Sequence, residues 1–265
     1  MNLASLGLFI VPMLALNSEA SVLMLDFGPT TVSEENRSNS PYHTVNASAG
    51  LSWNKVSTLE DEDHIAVQDL MSGLVFADGT SATGIGVNVG VATGTEVNLG
   101  VQPVRNSPLG GNFYTGIYSE GSVGRDGIFT TSAVALGIQV TGLAPGIYEV
   151  FLATRNTSFN GSNTQISYAG SGVAGANYDY SSYLSASLAF PSGAPAPTTW
   201  IEGESYVKLT VALAAGDALN LAVIGKADRG FLNAVQIVSV PEPSYGIMAC
   251  GLLVTFTFRR RAKRG

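Results

Sequence analysis

Val207, Leu209, Val211 and Leu213 alternate with Lys208, Thr210 and Ala212, and beyond Ala214-Ala215-Gly216-Asp217 the alternation resumes at Leu219, Leu221 and Val223. A period of two puts every apolar side chain on one side of an extended backbone, so each segment reads as a half-buried strand and the two together as a hairpin. Ile85, Val87, Val89 and Val91 repeat the pattern, as do Val134, Leu136, Ile138 and Val140 before Leu143-Ala144-Pro145-Gly146. Pro-Gly there suits a β-turn. Ile147 to Ala153 (IYEVFLA) is apolar nearly throughout, as expected of a central strand covered on both faces, and Phe231 to Val240 closes the series. About ten strands, and no amphipathic run of helical length, predict an all-β, antiparallel, two-sheet sandwich. Ser57-Thr58-Leu59-Glu60 fits a helix-opening capping box or, given Asp61-Glu62-Asp63 behind it, a loop.

Composition suits that architecture. The chain has 31 glycines, and only 12% of its residues are charged, about half the usual fraction. The formal net charge of -7 hides an asymmetry, because Arg259, Arg260, Arg261, Lys263 and Arg264 crowd the last seven positions. Residues 21–240 hold 8 Lys and Arg against 18 Asp and Glu, a balance that repels phosphate backbones and excludes nucleic acid as a partner. Cys250 is the only cysteine, so disulfides and thiolate metal sites are closed to the chain. No cofactor is implied by any motif.

The two ends read differently from the body. Leu3 to Leu16 is apolar and Ser18-Glu19-Ala20 offers small side chains, which predicts a signal peptide over 1–20 with cleavage after Ala20, although no Lys or Arg precedes Arg37. At the other end Gly246 to Phe258 is uncharged and is followed by RRRAKR, which predicts a short transmembrane helix over 246–258 with the basic end in the cytoplasm. Pro241-Glu242-Pro243-Ser244, the apolar segment and the arginine cluster resemble, in that order, the PEP-CTERM sorting signal of bacterial exported proteins. The resemblance covers 240–265. It implies recognition at Pro241, Glu242 and Pro243 by an exosortase-type processing enzyme, with Arg259, Arg260 and Arg261 as the basic stop. It also implies a precursor tethered to the inner membrane and then a protein of the cell surface or extracellular matrix.

The body, 21–239, reads as one domain. Leu25-Asp26-Phe27-Gly28-Pro29-Thr30, Asn39-Ser40-Pro41-Tyr42-His43-Thr44, Ser52-Trp53-Asn54 and Ala77-Asp78-Gly79-Thr80 are similar to segments of PEP-CTERM proteins with no assigned chemistry. Gly142 to Asn156 (GLAPGIYEVFLATRN) resembles a turn-strand element of carbohydrate-binding sandwiches, which implies a jelly-roll or galactose-binding-like fold.

Chemistry-bearing residues are sparse. Glu60-Asp61-Glu62-Asp63-His64 lacks the spaced carboxylates of a calcium loop and reads as a solvated loop. His43 and His64 have no H-x-x-x-H partner for zinc and no G-x-S-x-G elbow for a hydrolase triad. Trp53, Tyr178 and Tyr180 are the candidate glycan contacts, since aromatic rings stack on sugars. Glu202 and Glu204 flank Gly203 and on a strand would share a face, the arrangement of an acid pair. The expectation from these features is a non-enzymatic, glycan-binding or structural protein, with extracellular polysaccharide as a partner. Its alternative is an extracellular carbohydrate-active enzyme that uses paired carboxylates.

Overall fold

Wherever apolar residues alternate, the backbone is extended. The computed structural model describes residues 20–28, 37–56, 72–99, 104–107, 115–119, 122–130, 133–156, 162–193, 196–226 and 229–241, and the account below is of these. Apart from Pro241 they belong to one unit, Ala20–Val240; the other unit, Met1–Glu19 with Pro241–Gly265, otherwise lies outside them.

The described residues form fifteen strands: β1 (Val22–Phe27), β2 (Asn54–Val56), β3 (Gly86–Thr93), β4 (Glu96–Asn98), β5 (Val104–Ser107), β6 (Gly127–Thr130), β7 (Leu136–Thr141), β8 (Gly146–Ala153), β9 (Asn163–Val173), β10 (Tyr178–Asp179), β11 (Leu184–Phe190), β12 (Val207–Leu213), β13 (Asp217–Gly225), β14 (Phe231–Leu232) and β15 (Ala234–Val240). They make a five-stranded sheet in the order β12-β8-β15-β1-β2, a seven-stranded sheet in the order β10-β4-β3-β7-β13-β9-β11, and a three-stranded sheet, β14-β6-β5. All pairs are antiparallel except β1 with β2.

The expected two-sheet antiparallel sandwich is therefore corrected to three sheets with one parallel pair, in which β12 of the small sheet also lies against β9 and β11 of the large one, toward a barrel. The expected hairpin is corrected too: β12 pairs with β8, whereas β13 pairs with β7 and β9, so the turn at 214–216 carries the chain from one sheet to the other. Among the described residues no helix is long and apolar enough to cross a membrane. The transmembrane helix of the expected fold, with the membrane-tethered precursor and the exosortase-type partner built on it, is set aside on that finding. Residues 246–258, at 13, also fall short of the roughly 20 that a span needs, and they lie outside the described residues.

The main core lies between the two larger sheets. Leu23, Leu25, Val150, Leu152, Leu209, Val211, Val235 and Ile237 come from one, and Val87, Val89, Ile138, Val140, Leu219, Leu221 and Val223 from the other. Each buried side chain of this size contributes about 1.5–3 kcal/mol. The outer faces are covered as well. Met24, Phe151, Ala153, Ala234 and Val238, facing away from the core, are packed under Tyr42, Ile117, Tyr118, Val123, Trp200 and Tyr206 from the loops.

Leu221 sits at the centre of the large sheet, opposite Ile138 on one side and Ala169 on the other, and is wholly buried. Leu221→Ala is expected to cost about 2–5 kcal/mol in urea unfolding; a loss below about 1 kcal/mol would mean that the two inner faces do not close there.

Candidate functional site

Because side chains alternate, β8 sends Tyr148, Val150 and Leu152 into the core and Ile147, Glu149, Phe151 and Ala153 outward, and β12 sends out Lys208, Thr210 and Ala212. In the register Lys208 lies opposite Phe151, and Thr210 opposite Glu149. Lys208 and Glu149 are thus diagonal neighbours within reach of each other's side chains. Lys208 Nζ donates to Glu149 Oε1 at 3.2 Å and stands 5.9 Å from the centre of the Phe151 ring.

The chain before β12 brings in more. From Ile201 to Tyr206 it makes a tight turn, with Gly203 N donating to Tyr206 O at 2.8 Å and Ile201 N to Ser205 Oγ at 2.7 Å. Glu202, on that turn, acts electrostatically on both Lys208 and Tyr206, and the Thr44 side chain lies near the Tyr206 hydroxyl. The hydrogen bond that Lys208 donates to Glu149 holds its ammonium above its ordinary value, assisted by the charges of Glu149, Glu202 and Tyr206. Burial raises Tyr206, and Glu202 adds to that.

This cluster is open to solvent. About a third of the Lys208 and Glu149 side chains is accessible, and Glu202 is exposed. Val45, 64% exposed, follows Thr44, and Ile201, 41% exposed, precedes Glu202, so apolar surface flanks the charges. Two carboxylates and an ammonium can accept from and donate to hydroxyl groups, while Phe151 and Tyr206 beneath them, 1% and 4% exposed, present no ring face to solvent.

The residues singled out in the sequence are scattered. Glu202 and Glu204 lie on the turn and not on a strand, both exposed, and of the two Glu202 belongs to the cluster. Trp53 is half-buried against the outer layer, its Nε1 donating to Arg37 O at 3.0 Å. Tyr178 and Tyr180 are 6% and 5% exposed and pack on the outer face of the seven-stranded sheet with Tyr168 and Tyr183. The Tyr178 hydroxyl lies within bonding distance of Ile138 O and Leu221 O, and the Tyr183 ring covers Gly170, where any side chain would collide with it. Tyr178 and Tyr180 cover the sheet and present no ring face to solvent. His43 is bonded at both nitrogens, to Ser40 Oγ at 2.6 Å and to Ala49 O and Gly50 O at 3.1 and 3.2 Å. Pro241 is exposed, while Glu242, Pro243, Arg259, Arg260, Arg261, the acidic run 60–63 and His64 lie outside the described residues. Among the described residues no three of His, Cys, Asp and Glu gather as metal ligands.

Sequence reasoning passed over Glu149 and Lys208. Their signal was that each is the only charge on an otherwise apolar strand, in GIYEVFLA and VKLTVAL. It passed over a second charged group too. Asp26, Lys55 and Asp126 meet at the β2 edge of the same sheet, but the two carboxylates are 1% and 0% exposed, which closes them to a substrate.

No protein-family model matches the chain, and no curated protein matches it. Among solved structures it is similar to the Arthrobacter globiformis T6 isomalto-dextranase complexed with panose, at 18% identity over 51% of this chain and 23% of that one, with a TM-score of 0.29. It is similar to the enzymatically active domain of tailspike protein 4 from bacteriophage CBA120, at 9% identity over 59% and 19%, TM-score 0.25. It is similar as well to TmCBM61 in complex with β-1,4-galactotriose, at 14% identity over 59% and 88%, TM-score 0.26. The chain spans less than a quarter of the first two. The likeness is a partial one of β-fold, and two of the three names concern carbohydrate. Two of the three are enzymes by name, which is said of them alone; the expectation of a protein without enzymatic activity is not kept.

The buried tyrosines carry a pH signature. Burial holds the Tyr178 hydroxyl well above its ordinary value of 10.0, and Tyr118, also fully buried, is raised by the same cause. Above pH 10 the unfolded chain releases these protons while the folded chain keeps them, so ionisation favours the unfolded state and stability falls as pH rises. Thermal melts from pH 9 to about 11 should show that fall, and Tyr178→Phe should make it shallower; an unchanged slope would mean that Tyr178 ionises freely in the fold.

Proposed function

We propose that this protein acts on carbohydrate at the Glu149-Glu202-Lys208-Tyr206 cluster, with its paired carboxylates as the working groups. The observation that carries the reading is the Lys208–Glu149 ion pair at an accessible place above Phe151, with Glu202 on the neighbouring turn close enough for its charge to act on the same lysine. In glycoside cleavage one carboxyl group protonates the leaving oxygen while the other acts at the anomeric carbon or on water. Glu149, which accepts from Lys208, suits the second role; Glu202, on the exposed turn, suits the first. The exposed aliphatic surface of Val45 and Ile201 beside them suits the apolar face of a sugar.

One observation favours binding without turnover. Lys208 donates directly to Glu149, and a carboxylate so engaged is a fixed acceptor for hydroxyl groups whether or not a bond is cleaved.

Both readings are tested by incubating the protein with a panel of polysaccharides and measuring bound glycan and released reducing ends. If cleavage operates, Glu202→Gln and Glu149→Gln each lower the rate by about 100-fold or more. If binding alone operates, no reducing ends appear and the same variants weaken binding by about tenfold, the worth of a hydrogen bond to a charged group. Neither product nor binding across the panel, or variants equal to the wild type, would sink the carbohydrate reading.

The likeness of residues 240–265 to a PEP-CTERM signal is a separate proposal. If it holds, the protein from its native host ends at or before Pro241 when its intact mass is measured, and a chain that runs to Gly265 overturns it.

A further inference from the structure

Lys55 and Asp26 stand directly opposite each other in the parallel pair of β2 and β1. Lys55 Nζ lies 2.7 Å from Asp26 Oδ2 and 3.2 Å from Asp126 Oδ2. The amine is therefore in hydrogen-bond contact with the Asp26 carboxylate, and a second carboxylate is in contact with it. Charges withdrawn from water in this way are costly to keep unless the geometry is well supported.

Here the support is built in. Gly28, at φ +150°, leaves open the space that Asp126 fills, since a Cβ on Gly28 would overlap the Asp126 carboxylate. Asn233 Nδ2 donates to Gly124 O at 3.1 Å and to Asp126 O at 2.7 Å, and Asn233 Oδ1 accepts from Arg155 N at 2.7 Å. The loop that carries Asp126 is thus pinned to the start of β15 and the end of β8. The third group is held against an amine and a carboxyl already in contact.

We propose that Lys55 and Asp26 condense to form an intramolecular amide, with Asp126 as the proton carrier. Nζ forms a bond to Asp26 Cγ, and one Cγ–O bond breaks. Two of the three ammonium protons pass by way of Asp126 to the departing oxygen, which leaves as water, and Asp126 ends as it began. Ammonium and carboxylate become amide and water, with no oxidant and no second reactant. Apposition within a fold replaces a bimolecular encounter, for which effective molarities reach about 10⁵ M or more, and the enclosure of both carboxyl groups, 1% and 0% exposed against 23% for the Lys55 side chain, disfavours the return of water to the carbonyl carbon. Lys208 and Glu149 are also in contact, but about a third of each side chain is exposed, so the enclosure that drives condensation is lacking there.

The bond gives the fold something it otherwise cannot have. β2 is three residues long and lies at the edge of its sheet, where β1 is its one strand partner and the Asn54 side chain bonds to Met24 O and to Val75 N and O. An amide from Asp26 to Lys55 closes the chain between them, including the segment that carries Tyr42 and Trp53 over the outer face. It constrains the unfolded chain as a disulfide would, and a chain whose only cysteine is Cys250 has no disulfide to offer. This inference does not depend on the carbohydrate reading.

Peptide mapping of the denatured full chain tests it. No Lys or Arg precedes Arg37, and none lies between Lys55 and Arg105, so trypsin should yield the peptide ending at Arg37 joined to 38–105, one water lighter than their sum. Separate peptides at full mass, with cleavage after Lys55, would overturn the proposal. Lys55→Arg keeps the charge and Asp126→Asn keeps the shape; each should give unjoined peptides and a lower thermal midpoint. If Asp126→Asn is joined as fully as the wild type, Asp126 is not the carrier. If Lys55→Arg melts at the wild-type temperature, the bond does not brace the sheet.

Discussion

Everything in this molecule depends on two apolar sheet faces shutting water out between them. A strand that gives one face to a core must turn its other face away, because successive side chains point in opposite directions. Leu23, Leu25, Val235 and Ile237 go inward, and so Met24, Asp26 and Gln236 go outward. The outward residues decide what the protein can do, and the inward ones fix where each of them stands.

The outer faces are not left bare, and polar side chains set on them hold their coverings. Gln236 accepts from Tyr42 N at 2.8 Å and donates to Ser40 Oγ at 2.9 Å, which ties the 37–53 segment to the small sheet. On the large sheet Gln139 accepts from Gly175 N at 2.6 Å and donates to Ala176 O and Asn220 Oδ1, while Asn220 donates to the Tyr183 hydroxyl. A buried amide must find such partners or cost the fold the price of its desolvation. The covering leaves the Glu149-Lys208 corner open and closes over Asp26 and Asp126, so charged clusters on one sheet face have different chemistry open to them.

The candidate site was legible only in fragments. Glu202 drew attention as half of a pair with Glu204, but its partner about Lys208 is Glu149, far back in the chain and on the strand beside β12. Nothing in the local pattern joins positions 149, 202 and 208; sheet register does. Tyr178 and Tyr180 looked open to sugars because Asp179 lies between them, yet in β10 that alternation sends Asp179 to solvent and Tyr178 into the outer layer. Asp26, Lys55 and Asp126 meet because β2 runs parallel to β1 and because Gly28 leaves room for a carboxylate from a distant loop.

By itself the sequence determined that the alternating segments are strands and which side of each is buried, because a two-residue period is a local property that any apolar core reads in the same way; strands without that pattern, such as β9, it did not mark. Val207 to Leu213 and Leu219 to Val223 are strands with those faces inward. It did not determine their partners. Two neighbouring strands bury their apolar faces equally well side by side in one sheet or facing each other across a core, and alternation cannot tell these apart. The tertiary structure chose the second, placing β12 beside β8 and β13 between β7 and β9, since only there do seven strands and five find enough apolar surface to cover one another.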